Sequence, residues 1–179
     1  GEALLVRGGN GHGKTSLLRI LCGLSVPAAG VVRWRGEPIS RAHEQYGREM
    51  AYLGHANGIK DDLTPVENLR LAAALGGRAL ELDAAVSALE KVGLARCLDI
   101  PARVLSFGQR RRVALAGLMT AGALLWILDE PLTGLDVHGV AMVEQMIRDH
   151  VLAGGLAIMT THQPLVLDGL TPKSLTVGD

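Results

Sequence analysis

A glycine-rich segment near the start of the chain has the composition and spacing of a phosphate-binding loop (P-loop). Residues 8–15 read GGNGHGKT and fit GxxxxGK[ST], after an apolar run at 3–7 and before a helical pattern from Lys14 to Leu24. Backbone N–H groups in such a loop, together with the following helix N-terminus, cradle phosphate oxygens. Lys14 is predicted to reach the β- and γ-phosphates of a nucleotide, and Thr15 to offer its hydroxyl to Mg²⁺. The predicted binding residues are Gly8, Gly9, Asn10, Gly11, His12, Gly13, Lys14, Thr15 and Ser16. The alternative, a turn that only caps a helix, is disfavoured by the flanking strand and helix.

Two adjacent carboxylates follow a second apolar run, Leu124–Leu128. Ligands bind at the carboxyl edge of parallel sheets, so this pair is placed for chemistry. Asp129 is predicted to hold Mg²⁺ through water, and Glu130 to orient or deprotonate an attacking water. Taken alone, the pair could equally cap the next helix, but the P-loop elsewhere in the chain favours catalysis.

The segment LSFGQ admits two interpretations that are compatible. Ser106 and Gln109 have the spacing of a capping box that opens a helix through residues 112–118. The same helix N-terminus could receive a phosphate. The three arginines 110–112 point about 100° apart on a helix, which favours a solvated or interface helix start over a nucleic-acid patch.

His162 lies just after the apolar strand predicted at 156–160. On chemistry alone, two interpretations stand: a surface histidine, or a group that hydrogen-bonds a γ-phosphate if this strand neighbours the Asp129 strand.

Strands alternate with helices along the chain, which predicts an α/β fold with a mostly parallel sheet. Further strands are predicted at 31–34, 50–53 and 175–177. Helices are predicted to begin at Thr64, at Asp83 (running through Val92) and at Asp136. We expect a single domain over 1–179, with a core from 1–56 and 104–179 and a helical insertion at 57–103.

The composition excludes several classes of protein. The 179 residues are 48% hydrophobic, with 18 basic and 18 acidic side chains, so bulk charge does not favour nucleic-acid binding. Aromatic residues make up 3%, too few for base-stacking platforms. Cys22 and Cys97 lack metal-ligand spacing and are predicted to be buried, reduced thiols of a cytosolic protein. The longest uncharged run, 113–128, is too short to span a membrane.

Taken together, the motifs resemble those of ABC-transporter ATPase subunits, in the same order: GGNGHGKT, LSFGQ, LLWILDE, PLTGLD and Thr161-His162. The resemblance implies a P-loop NTPase core with a helical subdomain, MgATP as substrate, and a head-to-tail homodimer. Each ATP would lie between the P-loop of one subunit and Ser106, Gly108 and Gln109 of the other. Glu130, His162 and Lys14 would be catalytic. Phe107 departs from the family, which usually has glycine there.

A narrower likeness is to the ATP-binding subunits of cytochrome c maturation haem exporters, carried by GHANGIK at 54–60, by the stretch GLSVPAAGVVRWRGEPI and by TTHQPL. His55 stands where most ABC ATPases have a glutamine that contacts Mg²⁺ and the transmembrane partner. The likeness implies transmembrane subunits of the cytochrome c maturation complex as partners, at the cytoplasmic face of a bacterial inner membrane. No residue pattern indicates a direct haem site, and His55 as a haem ligand is disfavoured.

The chain begins seven residues before Gly8, whereas the family has about two strands and an adenine-stacking aromatic there. We therefore expect N-terminal strands to be lacking, which leaves a nucleotide-binding module without turnover as an alternative. Another ABC-type ATPase, acting in DNA repair or on ribosomes, would need a coiled coil, a zinc element or a second ATPase domain, and the sequence has no sign of these.

Overall fold

The computed structural model describes residues 1–178, which form thirteen main helices and strands. The strands are β1 (Glu2–Arg7), β2 (Arg33–Trp34), β3 (Glu37–Pro38), β4 (Met50–Leu53), β5 (Leu125–Asp129), β6 (Leu156–Thr160) and β7 (Lys173–Thr176). The helices are α1 (Lys14–Leu21), α2 (His43–Glu49), α3 (Pro65–Leu75), α4 (Leu82–Lys91), α5 (Phe107–Thr120) and α6 (Val137–Leu152). A short 3₁₀ turn covers Ala102–Val104.

Five of the strands form one sheet in the order β4-β5-β6-β1-β7, and every pairing in it is parallel. The predicted α/β fold with a mostly parallel sheet is therefore confirmed. In register, Thr160 lies between Asp129 of β5 and Val6 of β1. The loops that follow β1, β5 and β6 consequently leave the sheet side by side. The strands β2 and β3 form a separate antiparallel hairpin.

The interior strand β5 is buried along its whole length because helices cover both faces of the sheet. Its side chains alternate between the two faces. Ile127 joins the apolar cluster that contains Leu18 of α1, whereas Leu128 joins the cluster that contains Ile147 of α6. A strand held on both faces gives the carboxylate at its end a fixed position.

Helices α3 and α4 lie between β4 and β5 in sequence and share a third apolar cluster with α5. Leu69 of α3, Leu89 of α4 and Val113 of α5 are among its most buried members. The division of the chain into a core and an insertion at 57–103 stays a prediction.

Some local predictions were wrong. The chain forms α2, which the sequence analysis did not anticipate, since only Tyr46 of this polar helix is buried. Asp83 is not the N-cap of α4: the helix begins at Leu82 after Glu81, so Asp83 lies inside the first turn. Cys22 is buried as predicted, but Cys97 is only half-buried; both are free thiols.

Within residues 1–178, no helix combines the length and the apolar character that crossing a bilayer requires. The uncharged run at 113–128 instead supplies the end of α5, a turn at Gly122 and most of β5.

The capping box predicted at the start of α3 is present. Glu67 donates its N–H to the Thr64 hydroxyl at 3.2 Å, and its carboxylate accepts the Thr64 N–H at 2.8 Å. We predict that Thr64→Ala lowers the free energy of unfolding by about 1 kcal/mol, because an N–H of the first turn loses its acceptor. Urea denaturation measures this, with Thr64→Ser as the control that keeps the hydroxyl. Equal stability of the alanine and serine variants would contradict the prediction.

Candidate functional site

The glycine-rich loop joins β1 to α1 and leaves the start of that helix open. Gly13, the N-cap, has a φ of 85°, a left-handed conformation that a residue with a Cβ adopts only with strain. It provides no side-chain cap, and the first turn of α1 contains no acidic residue. The first-turn N–H groups therefore suit an anion.

Lys14 is folded back over the loop rather than extended into solvent. Its ammonium group donates hydrogen bonds to the carbonyls of Gly8 at 2.8 Å and Gly9 at 3.0 Å, and the residue is 9% exposed. These contacts hold the Lys14 ammonium group beside the uncapped N-terminus of α1. The ammonium charge and the helix N-terminus can together neutralise phosphate oxygens.

Asp129 connects three segments through its two carboxylate oxygens. Oδ2 accepts a hydrogen bond from the Thr15 hydroxyl at 2.9 Å, and Oδ1 accepts one from the Thr160 hydroxyl at 2.8 Å. Asp129 is 3% exposed and Thr160 fully buried. The sequence analysis missed Thr160; the only available signal was its position at the end of a strand beside β5.

Glu130 is held in a conformation that is uncommon for a residue with a side chain, with a φ of 50°. Its N–H donates to the Thr160 hydroxyl at 3.0 Å, and its Oε2 accepts the N–H of His162 at 3.1 Å. Within residues 1–178, Oε1 is buried and has no hydrogen-bond partner, although His162 Nε2 lies 3.5 Å away. This leaves one carboxylate oxygen available to a molecule that enters the site.

One cavity of about 260 Å³ brings most of the predicted site residues together. It is lined by Asn10, Gly11, Gly13, Lys14, Thr15, Ser16, Asp129, Glu130 and His162. His162 is therefore beside the carboxylate pair, as expected if β6 neighbours β5. The exposed His55 lines a second cavity of about 410 Å³, to which Thr15 and Asp129 also contribute.

The predicted residues Ser106, Gly108 and Gln109 line a different cavity, of about 500 Å³, together with Asp136. Ser106 and Gln109 form the predicted capping box. The Gln109 N–H donates to the Ser106 hydroxyl at 3.2 Å, and the Ser106 N–H donates to Gln109 Oε1 at 2.8 Å. A Cβ at Gly108 would lie 2.9 Å from the carbonyl oxygen of Gly134, so glycine permits this close approach. This cavity and the P-loop cavity share no lining residue.

Asp136 caps α6 and connects that helix to α5. Its Oδ1 accepts the Gly139 N–H at 2.8 Å and a guanidinium N–H of Arg112 at 2.9 Å. The Gly139 N–H, followed by the Arg112 charge, lowers the pKa of the Asp136 carboxyl below its usual value. A carboxylate is the protonation state that can accept both bonds.

Arginines 110–112 were predicted to lie at a helix start that faces solvent or an interface, and this prediction is wrong for Arg111. Arg110 is partly exposed and pairs with Asp61 at 2.8 Å, whereas Arg111 is 1% exposed beneath the ends of β4 and β5. Burial lowers the pKa of the Arg111 guanidinium, and the nearby carboxylates of Asp129 and Glu130 offset part of that effect.

The ABC transporter family model matches residues 1–133, which include the P-loop and the carboxylate pair. The chain belongs to the ABC transporter family. It is 51% identical over 178 residues to the cytochrome c biogenesis ATP-binding export protein CcmA of Nitrosomonas europaea, covering 99% of this chain and 84% of that protein. It is 53% identical to CcmA of Aromatoleum aromaticum, covering 94% of this chain and 82% of that protein.

Two solved structures share the fold of this chain. A putative ABC transporter ATP-binding protein from Pyrococcus furiosus superposes with a TM-score of 0.84 at 23% identity, covering 98% of this chain and 84% of that one. A dimeric ATP-binding cassette in a post-hydrolysis state, bound to ADP and Pi, superposes with a TM-score of 0.81 at 21% identity. The superposition covers 90% of this chain and 75% of that one. The family resemblance predicted from the sequence motifs is confirmed, and these ABC family members have the same α/β fold.

Thr160 offers a direct test of the network around Asp129. Thr160→Val preserves the shape of the side chain but leaves Asp129 Oδ1 and the Glu130 N–H without their shared hydroxyl. We predict a loss of about 1–3 kcal/mol in the free energy of unfolding, because both groups become unsatisfied in a buried place. Chemical denaturation measures the loss. The control is Thr161→Val, whose hydroxyl bonds only the backbone of Gln163; an equal loss in the two variants would contradict the prediction.

Proposed function

We propose that this chain binds MgATP at the P-loop and hydrolyses it, as the ATP-binding subunit of an ABC complex for an export step in cytochrome c biogenesis. The proposal combines the site around Glu130 with the identity of about half of the residues to proteins named as CcmA.

The observation that carries hydrolysis is the buried, unbonded Oε1 of Glu130. A general base has to accept a proton from water, so it needs a free oxygen that faces the reacting group. Within residues 1–178, Oε1 of Glu130 has no hydrogen-bond partner, and Glu130 lines the same cavity as Lys14 and the α1 N-terminus. Water placed on Oε1 would face a γ-phosphate held by Lys14, and His162, whose Nε2 lies 3.5 Å from Oε1, would contact the phosphate beside that water. Catalysis is then mainly positioning and electrostatic stabilisation.

The residues at the end of β5 fit a magnesium ion. Thr15 Oγ1 and Asp129 Oδ2 are hard oxygen ligands that lie 2.9 Å apart beside the P-loop. Residues 1–178 contain no group of three His, Cys, Asp or Glu side chains placed to hold a metal. Mg²⁺ suits such a site, since it is usually bound by one or two protein oxygens, substrate phosphates and water. We propose Thr15 and Asp129 as its contacts, with His55 alongside; the ion would neutralise phosphate charge.

We further propose that ATP binds between two copies of the chain arranged head to tail. Ser106, Gly108 and Gln109 line their own cavity rather than the P-loop cavity, so a second subunit would bring them to the phosphates. The solved dimeric ATP-binding cassette with the same fold supports the formation of a dimer.

The membrane partner follows from the relatives, whose name describes an export protein. We propose transmembrane subunits of the cytochrome c maturation system as partners, and a peripheral position at the cytoplasmic face of the bacterial inner membrane. The loop carrying His55 is exposed and borders both Thr15 and Asp129, so it is suited to relay contact with such a partner to the site.

One prediction of the proposed function concerns Glu130 as the general base. Glu130→Gln keeps the size of the side chain but removes its basicity, so we expect turnover of MgATP to fall by at least about a hundredfold while ATP still binds. Phosphate release and fluorescent-nucleotide binding measure the two properties. Glu90→Gln, on the exposed face of α4, is the control and should leave both unchanged. Wild-type turnover in Glu130→Gln would refute the proposed role.

Another prediction concerns the ATP site that we propose lies between two subunits. Lys14→Ala and Ser106→Phe should each abolish turnover when assayed alone. In a head-to-tail dimer, mixing the two variants creates heterodimers with one site that has both native residues, so activity should reappear. A site built within a single chain would stay inactive on mixing, and that result would contradict the proposed dimer.

A further inference from the structure

Arg111 is a buried cation that the proposed mechanism does not use. All five of its N–H donors have acceptors. Nη1 donates to the Gly54 carbonyl at 2.8 Å and to Asn57 Oδ1 at 3.1 Å. Nη2 donates to the carbonyls of Asp129 at 3.2 Å and Glu130 at 2.7 Å, and Nε donates to the Pro131 carbonyl at 3.3 Å.

None of these acceptors is a carboxylate oxygen, which is unusual for a charge at 1% exposure. Within residues 1–178, Arg111 forms no salt bridge, although the nearby carboxylates of Asp129 and Glu130 favour its charge. An apolar side chain would fill this place at lower desolvation cost. The guanidinium instead binds four backbone carbonyls and the Asn57 side chain, at places where the course of the chain matters for the site.

One of those places is the end of β5. Arg111 binds three consecutive carbonyls, from Asp129 to Pro131, around the left-handed φ of Glu130. Such a conformation persists only where surrounding contacts over-determine it. The Thr160 hydroxyl fixes the N–H side of Glu130, and Arg111 fixes its carbonyl side. The direction of the Glu130 carboxylate depends on both.

The other place is the loop that carries His55. Arg111 holds this loop on both sides of the histidine, through Gly54 and Asn57. Arg111 itself belongs to α5, whose N-cap is Ser106. One side chain thus connects the helix that starts at the Ser106 cavity with two segments that line the P-loop side.

We propose that Arg111 is a positioning residue that fixes Glu130 and the His55 loop to helix α5, so that each catalytic site is tied to the Ser106 cavity of its own subunit. The inference rests on the proposed role of Glu130. Lysine cannot replace arginine here, because a single ammonium group cannot reach the Gly54 carbonyl after β4 and the Glu130 carbonyl after β5 at the same time.

The test compares Arg111→Lys with Arg110→Lys in the full chain. Arg110 is the adjacent residue, and its ion pair with Asp61 lies away from the P-loop cavity. For Arg111→Lys, we expect kcat for MgATP to fall about tenfold or more, since a misplaced base loses its alignment. KM should stay within about twofold, because the P-loop does not contact Arg111. Arg110→Lys should match wild type. An unchanged kcat, or a loss confined to KM, would overturn the proposal.

Hydrogen exchange provides a readout that does not require turnover. In Arg111→Lys, peptides that cover 54–58 and 129–131 should exchange at least about tenfold faster, while those from α3 and α4 remain unchanged. If Arg111→Lys fails to fold, Asn57→Leu removes a single acceptor and should speed exchange at 54–58 only. Unchanged exchange at these peptides overturns the proposal. Wild-type turnover in Glu130→Gln contradicts the proposed function instead, so the two failures are distinguishable.

Discussion

The carboxylate of Asp129 is the interaction on which the rest of the site depends. It ends the fully buried strand β5 and is itself 3% exposed, so an unbonded oxygen there would be costly. Thr15 from the start of α1 and Thr160 from the end of β6 satisfy its two oxygens. The P-loop helix and two strands must therefore stay together for the charge to be tolerated. Thr160 extends the same constraint to the N–H of Glu130.

The parallel sheet explains why these groups meet at all. Because β5, β6 and β1 are neighbours and run the same way, the P-loop, the carboxylate pair and His162 all follow strand ends at one edge. The two helices that we propose to contact the nucleotide, α1 and α5, differ in how their N-termini are capped. The start of α1 carries no side-chain cap and is open to phosphate, whereas Ser106 and Gln109 already cap α5. A nucleotide that contacts Ser106 would meet a helix N-terminus that its own side chains already cap. Such a contact is consistent with the proposed dimer, in which a second subunit holds the rest of the nucleotide.

The features that the sequence predicted well depend on neighbours close along the chain. The P-loop is set by glycines between a strand and a helix, and the capping boxes at Thr64 and Ser106 each join residues three apart. Thr160 and Arg111 were missed because their roles depend on which elements lie across the sheet. Nothing in three consecutive arginines says which one faces the core, since that depends on how α5 rotates against β4 and β5. Most residues that line the P-loop cavity could be predicted from local sequence, but Thr160 and Arg111, which hold them in place, could not.

Helix α5 makes the two cavities mechanically dependent on each other. Ser106 caps the helix at one cavity, and Arg111, five residues along, lies about 7.5 Å further down the axis at the rise of an α-helix. The capped first turn and the apolar side chains that follow hold this segment as one rigid unit. In the proposed dimer, a partner's nucleotide that moved the Ser106 end would therefore also move the guanidinium and its five acceptors, including the carbonyl of Glu130. A flexible connection between the cavities would absorb such a movement, whereas a helix with a buried, fully bonded arginine would transmit it to Glu130, the proposed base.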